Sequence, residues 1–134
     1  MLVPHDSRRF ITKVVGVPDL YSPISNAVVV GNICWISGQL SIGPDGQYMP
    51  GTARQEAQRA FDLVFLIAAA AGFPPNEIVY VDLAFQDLDD LTEVNGLYKE
   101  LFSANRRPAR TVYQAVKLPY GAKVKVQAVA AHAP

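Results

Sequence analysis

Residues 52–72 constrain the fold most, because one segment carries the start signal, the apolar stripe and the stop signal of a helix. Thr52 and Gln55 have capping-box spacing, in which each side chain can bond the other's free backbone N–H. Gly72, followed by prolines at 74–75, is a C-terminal stop. The stripe at helical spacing is rich in alanine: Ala53, Ala57, Ala60, Phe61, Val64, Ile67, Ala68 and Ala71. Because small residues allow close approach, the segment predicts a helix packed on a β-sheet.

The rest of the chain supplies the strands of that sheet. Apolar alternation and β-branched content predict six of them, at 10–15, 26–30, 33–37, 77–86, 110–116 and 122–131. Gly31-Asn32 predicts a tight hairpin, and Asp87 is the N-cap expected for a second helix. The order predicts one α+β domain over residues 1–134, with 1–9 as a loose lead-in. We expect a single mixed sheet with two helices on one face.

The last two predicted strands carry polar residues on alternate positions. Lys123, Lys125 and Gln127 lie opposite Val124, Val126 and Ala128, so we expect these polar residues to face away from the helices. On the other strand one face is shared by Arg110, Val112, Gln114 and Val116. We expect that face to be the one left uncovered by the helices. An apolar uncovered face predicts an oligomer that buries it.

Composition excludes several classes of function. Twelve basic and twelve acidic residues give a formal net charge of zero, which argues against a nucleic-acid surface. Cys34 is the only cysteine, and His5 and His132 show no metal-ligand spacing, so we expect no disulfide and no metal site. The longest apolar run, 63–71, is too short to span a bilayer, and the N-terminus does not resemble a secretory signal. We therefore expect a soluble cytoplasmic protein.

Arg110 is the main candidate for a binding residue. A proline-led turn at Arg107-Pro108 enters the strand that Arg110 begins, and an arginine there presents a rigid fork of donors suited to a carboxylate. The alternative from the residues alone is an ordinary surface ion pair. Spacing does not decide between the two.

Several short motifs, in order, resemble those of the YjgF/Rid family, and the resemblance runs from about Gly16 to the C-terminus. The matching pieces are Tyr21-Ser22-Pro23, Val30-Gly31-Asn32, Ser37-Gly38-Gln39, the Gly72 helix stop, Val94-Asn95-x-x-Tyr98, Pro108-Ala109-Arg110-Thr111, Leu118-Pro119 and Val126-Gln127-Ala128-Val129-Ala130. No single piece is specific, but their order and spacing together indicate the family.

The resemblance implies a chorismate-mutase-like fold and a homotrimer with three clefts between neighbouring subunits. By that resemblance Arg110 binds the substrate carboxylate, and Tyr21, Ser37, Gly38 and Asn95 lie in or near the cleft. It further implies hydrolysis of reactive enamines or imines, such as 2-aminoacrylate, to a 2-keto acid and ammonia. This is the activity of a 2-iminobutanoate/2-iminopropanoate deaminase, and it requires no metal or organic cofactor.

One departure from the family pattern bears on chemistry. The best-known deaminases carry a glutamate on the last strand, and the matching position here is Lys125, with Gln127 at the next position of that face. A cysteine that is common two residues after the arginine is Val112 here. Lys125 could act as a base if burial depressed its pKa, or could bind a second carboxylate. A site with Arg110 and Lys125 would favour a more anionic ligand.

Two functions follow from these observations. The first is a Rid-type deaminase that hydrolyses a small carboxylate-bearing enamine or imine, with Arg110 and Lys125 as catalytic residues. The alternative is a non-catalytic trimer of the same fold that binds a small mono- or dicarboxylate metabolite, because Lys125 replaces the expected glutamate. Nothing in the sequence favours a purely structural trimer, and neither the charge nor the histidines support a nuclease.

Overall fold

The computed structural model describes residues 6–134, which form one mixed six-stranded sheet and two α-helices. The elements are β1 (Arg9–Ile11), β2 (Ala27–Val30), β3 (Ile33–Gln39), α1 (Ala53–Ala70), β4 (Ile78–Phe85), α2 (Leu91–Leu101), β5 (Ala109–Gln114) and β6 (Val124–Ala131). The strand order is β1-β2-β3-β6-β4-β5, with β4 and β5 parallel and the other pairs antiparallel. The predicted α+β architecture is confirmed. Residues 1–5, which include His5 and five of the nine residues of the predicted lead-in, lie outside the described residues.

Local sequence signals explain where the elements begin and end. The predicted capping box is formed: the Gln55 backbone N–H donates to Thr52 Oγ1 at 3.1 Å, and the Thr52 N–H donates to Gln55 Oε1 at 2.9 Å. Gly31 turns the β2–β3 hairpin with a φ of 57°, a left-handed conformation that suits glycine. Asp87 caps a 3₁₀ turn, Leu88–Asp90, because its carboxylate accepts from the Asp89 N–H. The helix α2 therefore begins later than Asp87 predicted.

The core lies between the sheet and the helices. It is formed by α1 packed across β3 and β6, with α2 against α1. Its largest fully buried apolar side chains are Phe61, Phe73, Phe85, Ile67 and Leu83. A second, smaller apolar cluster joins Leu40, Ile42, Leu63, Ala84, Leu118 and Ala122. In residues 6–134, no helix combines the length and the apolar character needed to cross a membrane.

The two sheet faces differ, and two predictions about them were wrong. Lys125 and Gln127 do face away from the helices, as expected from their alternation with buried Val124 and Val126. Lys123 does not, because it precedes β6 and its ammonium lies 3.4 Å from the buried Glu56 carboxylate of α1. Arg110, however, pairs with Val81 across the parallel β4–β5 ladder, and Val81 is a core residue under the helices. Arg110 and Val112 therefore point to the helix side, because directly paired residues share a face. Val116 lies beyond the end of β5 and is fully exposed.

The face opposite the helices, called here the outer face, carries exposed apolar side chains. Trp35 and Ile33 on β3 are 54% and 40% exposed, and Tyr113 on β5 is 40% exposed. Val129 of β6 pairs directly with Trp35 and is half-buried among them. Ile33, Trp35 and Val129 form an apolar patch, whereas Tyr113 lies apart from it, next to Ala84, whose partner on β6 is Lys125. An exposed apolar patch is typical of a surface that another chain covers.

Candidate functional site

Arg110 is held in place by two residues of α2. Its Nη1 donates to Asn95 Oδ1 at 2.8 Å, and its guanidinium carbon lies 4.8 Å from the centre of the Tyr98 ring. Asn95 and Tyr98 are three residues apart, so they project from the same side of the helix. Among the described residues no carboxylate pairs with Arg110. The guanidinium is thus positioned by an amide and a ring while most of its donors stay available for a ligand carboxylate.

Tyr98 places an uncharged aromatic ring beneath the Arg110 guanidinium. Burial raises the pKa of its phenol to about 12, against the lowering effect of the neighbouring Arg110 charge. Its hydroxyl is buried and has no hydrogen-bond partner in the described structure. The ring therefore contributes a cation–π face to Arg110, while its hydroxyl contributes nothing to the core.

Lys125 lies on the outer face and passes directly over Gly38. A Cβ placed on Gly38 would lie 3.0 Å from Lys125 Cδ and 3.3 Å from its Cγ, so the absent side chain is what lets the lysine stem cross β3. The Lys125 ammonium makes no hydrogen bond or ion pair with the described part of the chain. It is a cation beside exposed backbone, with its proton donors open to a ligand.

A cavity of about 420 Å³ includes Gly38 in its lining. Its walls come from the irregular segment between β1 and β2, from the end of β3 with the residues after it, and from Pro119 and Tyr120. Its apolar lining includes Val14, Val17, Leu20, Ile24, Leu40 and Ile42. Residues 20–25, which the sequence indicates only as an irregular loop, thus form part of a cavity wall.

A buried carboxylate that sequence reasoning missed supports this cavity from behind. Glu56 is 0% exposed; its Oε2 accepts from the Tyr48 hydroxyl at 2.8 Å, and its Oε1 accepts from the Lys123 backbone N–H at 3.0 Å. Burial, followed by the bond to Glu56, raises the pKa of Tyr48 to about 12. The Tyr48 ring stacks on the cavity residue Tyr120, with centroids 6.2 Å apart. The helical period could have indicated that Glu56 is buried, because it places this residue beside Ala53 and Ala60 on the buried stripe.

Two further predicted residues lie next to the cavity without lining it. Tyr21 has a left-handed φ of 58° and is 90% exposed, although its neighbours Leu20 and Ser22 both line the cavity. The Ser37 hydroxyl donates to the Ser25 carbonyl at 2.6 Å, which ties the irregular segment to β3. Their roles in ligand binding stay predictions.

The predicted residues therefore fall into two groups that one chain does not unite. Arg110 and Asn95 form the first group, on the helix side at the β5 edge. Gly38 and Lys125 form the second, with Lys125 on the outer face of β6. The strand β4 lies between β5 and β6, so their backbones are about 10 Å apart, and the two charged groups project to opposite sides.

Comparison with known families and proteins gives a consistent result. The model of the family described as endoribonuclease L-PSP matches residues 17–132. A bovine protein named 2-iminobutanoate/2-iminopropanoate deaminase is 35% identical over 127 residues, which cover 94% of this chain and 92% of that protein. The human protein of the same name is 34% identical over the same lengths.

Solved structures agree with the sequence comparison. RidA from an Antarctic Psychrobacter superposes with a TM-score of 0.85 at 29% identity, over 92% of this chain and 100% of that chain. Escherichia coli TdcF, solved with bound serine, superposes with a TM-score of 0.84 at 26% identity, over 93% of this chain and 100% of that chain. A Thermotoga maritima structure described as a putative endoribonuclease gives 0.87 at 29% identity, over 94% and 99%. In residues 6–134, no cluster of three or more histidine, cysteine or acidic side chains is arranged to hold a metal.

Proposed function

We propose, from the premise that this chain belongs to the YjgF/Rid (endoribonuclease L-PSP) family, that it is an imine deaminase acting on small carboxylate-bearing imines. The observation that carries the proposal is the Arg110 guanidinium, fixed by Asn95 and Tyr98 yet without a carboxylate partner in the described chain. An exposed arginine held this rigidly is pre-organised for a planar anion. The substrate carboxylate is the anion it binds.

The complete site lies between two subunits of a homotrimer. Arg110 of one subunit meets Gly38 and Lys125 of its neighbour, which a single chain keeps on opposite sides of the sheet. The exposed apolar outer face, with Trp35 and Ile33, supports an assembly that covers it. Three is the number of subunits that the family resemblance implies.

The chemistry is the addition of water to a C=N bond. Arg110 holds the carboxylate, which sets the position of the imine carbon beside Gly38. Water forms a bond to that carbon, and the electron pair of the C=N π bond moves to nitrogen. Lys125 gives a proton to this nitrogen and recovers one from the added water oxygen. The hydroxyl proton then passes to nitrogen as the C–N bond breaks, the electron pair of that bond stays on nitrogen, and the carbonyl forms. The products are the 2-keto acid and ammonia, which takes a proton from solvent to become ammonium.

A second candidate is binding of a carboxylate without turnover. It is favoured by the same Lys125 ammonium, because an unpaired cation beside Gly38 suits a second carboxylate of a dicarboxylic ligand. In that case the protein would bind keto acids and dicarboxylates through Arg110 and Lys125 and would not accelerate the hydrolysis of any imine.

The experiment that tests the proposal uses 2-aminoacrylate generated in situ, which tautomerises to 2-iminopropanoate. Keto-acid release is followed with and without the protein, and Arg110→Ala is compared with Arg107→Ala, which removes the same charge at the same edge. We expect Arg110→Ala to lower kcat/KM about 100-fold, because two charge-assisted hydrogen bonds are lost. Arg107→Ala should be unchanged. Wild-type turnover in Arg110→Ala contradicts the proposal, and carboxylate binding without acceleration of any imine supports the second candidate.

A further inference from the structure

The cavity beside Gly38 is larger than the smallest 2-imino acids require. Its volume of about 420 Å³ lies within the range of about 300–1,000 Å³ typical of small-molecule sites. A substrate with only a methyl side chain has a handful of heavy atoms, and Arg110 binds its carboxylate outside this cavity. Such a substrate would leave most of the cavity to water in contact with apolar walls.

The chemistry of the walls indicates what the cavity accepts. Half of the sixteen lining residues are aliphatic or proline, and the charged lining residues, Lys13 and Asp19, are of opposite sign and leave no net charge. Asn26 is committed to the fold, since its side-chain amide donates to the Thr12 carbonyl at 2.9 Å. A hydrocarbon group would bury apolar surface here, while a second carboxylate would find no net positive charge.

The cavity is built before any ligand arrives. Ser37 of β3 ties the irregular segment to the sheet through two hydrogen bonds. Its hydroxyl donates to the Ser25 carbonyl, and its backbone N–H donates to the Asn26 carbonyl at 2.9 Å. On the other wall, Tyr120 is stacked on Tyr48, which Glu56 holds by a hydrogen bond. A pre-formed apolar wall binds a hydrocarbon group without a further ordering cost.

Gly38 joins this cavity to the proposed reaction site. The same residue lines the cavity and lets the Lys125 stem pass within contact distance. A substrate whose nitrogen lies at Lys125 therefore directs its side chain across Gly38. We propose that the cavity binds the substrate side chain, and that the preferred substrates are 2-imino acids with bulky apolar side chains, branched or aromatic. This inference rests on the proposed function and names its substrate class.

The test measures binding of the keto-acid products, because these are stable. Isothermal titration calorimetry compares pyruvate with 4-methyl-2-oxopentanoate and phenylpyruvate. We expect each bulky keto acid to bind at least about tenfold more tightly than pyruvate, since each methylene in an apolar pocket changes affinity about tenfold or more. Equal affinities, or tighter binding of pyruvate, overturn the inference.

Variants locate the preference in this cavity. Ser22 lines the cavity and is exposed, so the Ser22→Trp indole should fill it and reduce the affinity ratio of bulky to small keto acids to near one. Ile24→Ala removes part of the apolar lining without filling the cavity, so it should lower the affinity ratio of bulky to small keto acids about fivefold. Val15→Trp is the matched control, because Val15 is 97% exposed in the same segment and does not line the cavity. An unchanged ratio in both Ser22→Trp and Ile24→Ala contradicts the assignment.

Kinetics separate a failure of this inference from a failure of the proposed function. An amino-acid oxidase generates the imines of alanine and leucine in situ. Hydrolysis of both with no preference for the leucine imine refutes the cavity assignment and leaves the deaminase. If neither imine is hydrolysed and the keto acids still show the tenfold ratio, the deaminase is refuted and the cavity assignment holds for a binding protein.

Discussion

Removal of the buried Glu56 carboxylate should destabilise the fold more than removal of any exposed glutamate. In Glu56→Ala the Lys123 N–H and the Tyr48 hydroxyl lose an acceptor at 3.0 and 2.8 Å, respectively. The Gly51 N–H, at 3.3 Å, loses a weaker one. Because the site is fully buried, water does not replace the carboxylate, and the donors stay unsatisfied.

The expected loss follows from these contacts. Each of the two short bonds to a charged acceptor is worth about 1.5–3 kcal/mol, so together they give about 3–6 kcal/mol of unfolding free energy. The Lys123 ammonium adds less than about 1 kcal/mol, because its side chain is 42% exposed and lies 3.4 Å from Oε2. Glu56→Gln keeps the shape and one acceptor, so it should cost about 1–2 kcal/mol.

Urea unfolding at one fixed protein concentration measures these losses, since assembly makes apparent stability depend on concentration. Glu100→Ala is the matched control, because Glu100 pairs with Arg54 while its side chain is 63% exposed. The control should change the unfolding free energy by less than about 1 kcal/mol. If Glu56→Ala lies within about 1 kcal/mol of the native protein, the reasoning about this carboxylate is refuted.

Two further predictions concern the tyrosines. Tyr98→Phe should leave the unfolding free energy unchanged or raise it by up to about 1 kcal/mol, as measured by urea unfolding. The reason is that the change removes a buried hydroxyl that has no partner and keeps the ring under Arg110. A loss of stability above about 1 kcal/mol would reveal a partner for that hydroxyl. The pKa values of Tyr48 and Tyr98 are raised from 10.0 to about 12, so the unfolded chain binds fewer protons in that window and stability should fall as pH rises from about 10 to about 12. Unfolding curves between about pH 9 and pH 11 should show this fall, less steeply in Tyr48→Phe, and an equal slope in the variant would exclude Tyr48 as a cause.

The elements of the fold were predictable because their signals are local. The capping box at Thr52 and the Gly31-Asn32 hairpin each depend on neighbouring residues only, and both are formed. Local signals could not predict on which face of the sheet Arg110 lies. Alternation shows that Arg110 and Val112 share a face, but which face it is depends on the parallel pairing with β4, about thirty residues away in sequence.

The candidate site was predictable in its residues and not in its geometry. The family resemblance indicates Arg110, Asn95 and Gly38, whereas the separation of Arg110 from Lys125 appears only when the strand order is known. The outward direction of Tyr21 depends on a left-handed backbone conformation that a tyrosine seldom adopts and that no sequence pattern signals.

The central claim is that Arg110 of one subunit and Lys125 of another complete one site, and mixing two inactive variants tests it directly. Arg110→Ala and Lys125→Met are unfolded and refolded together, and imine hydrolysis is compared with each variant refolded alone. Random assembly places both native residues at about a quarter of the interfaces, so the mixture should recover up to about a quarter of native activity. Activity no higher than that of the separately refolded variants would contradict a site shared between subunits.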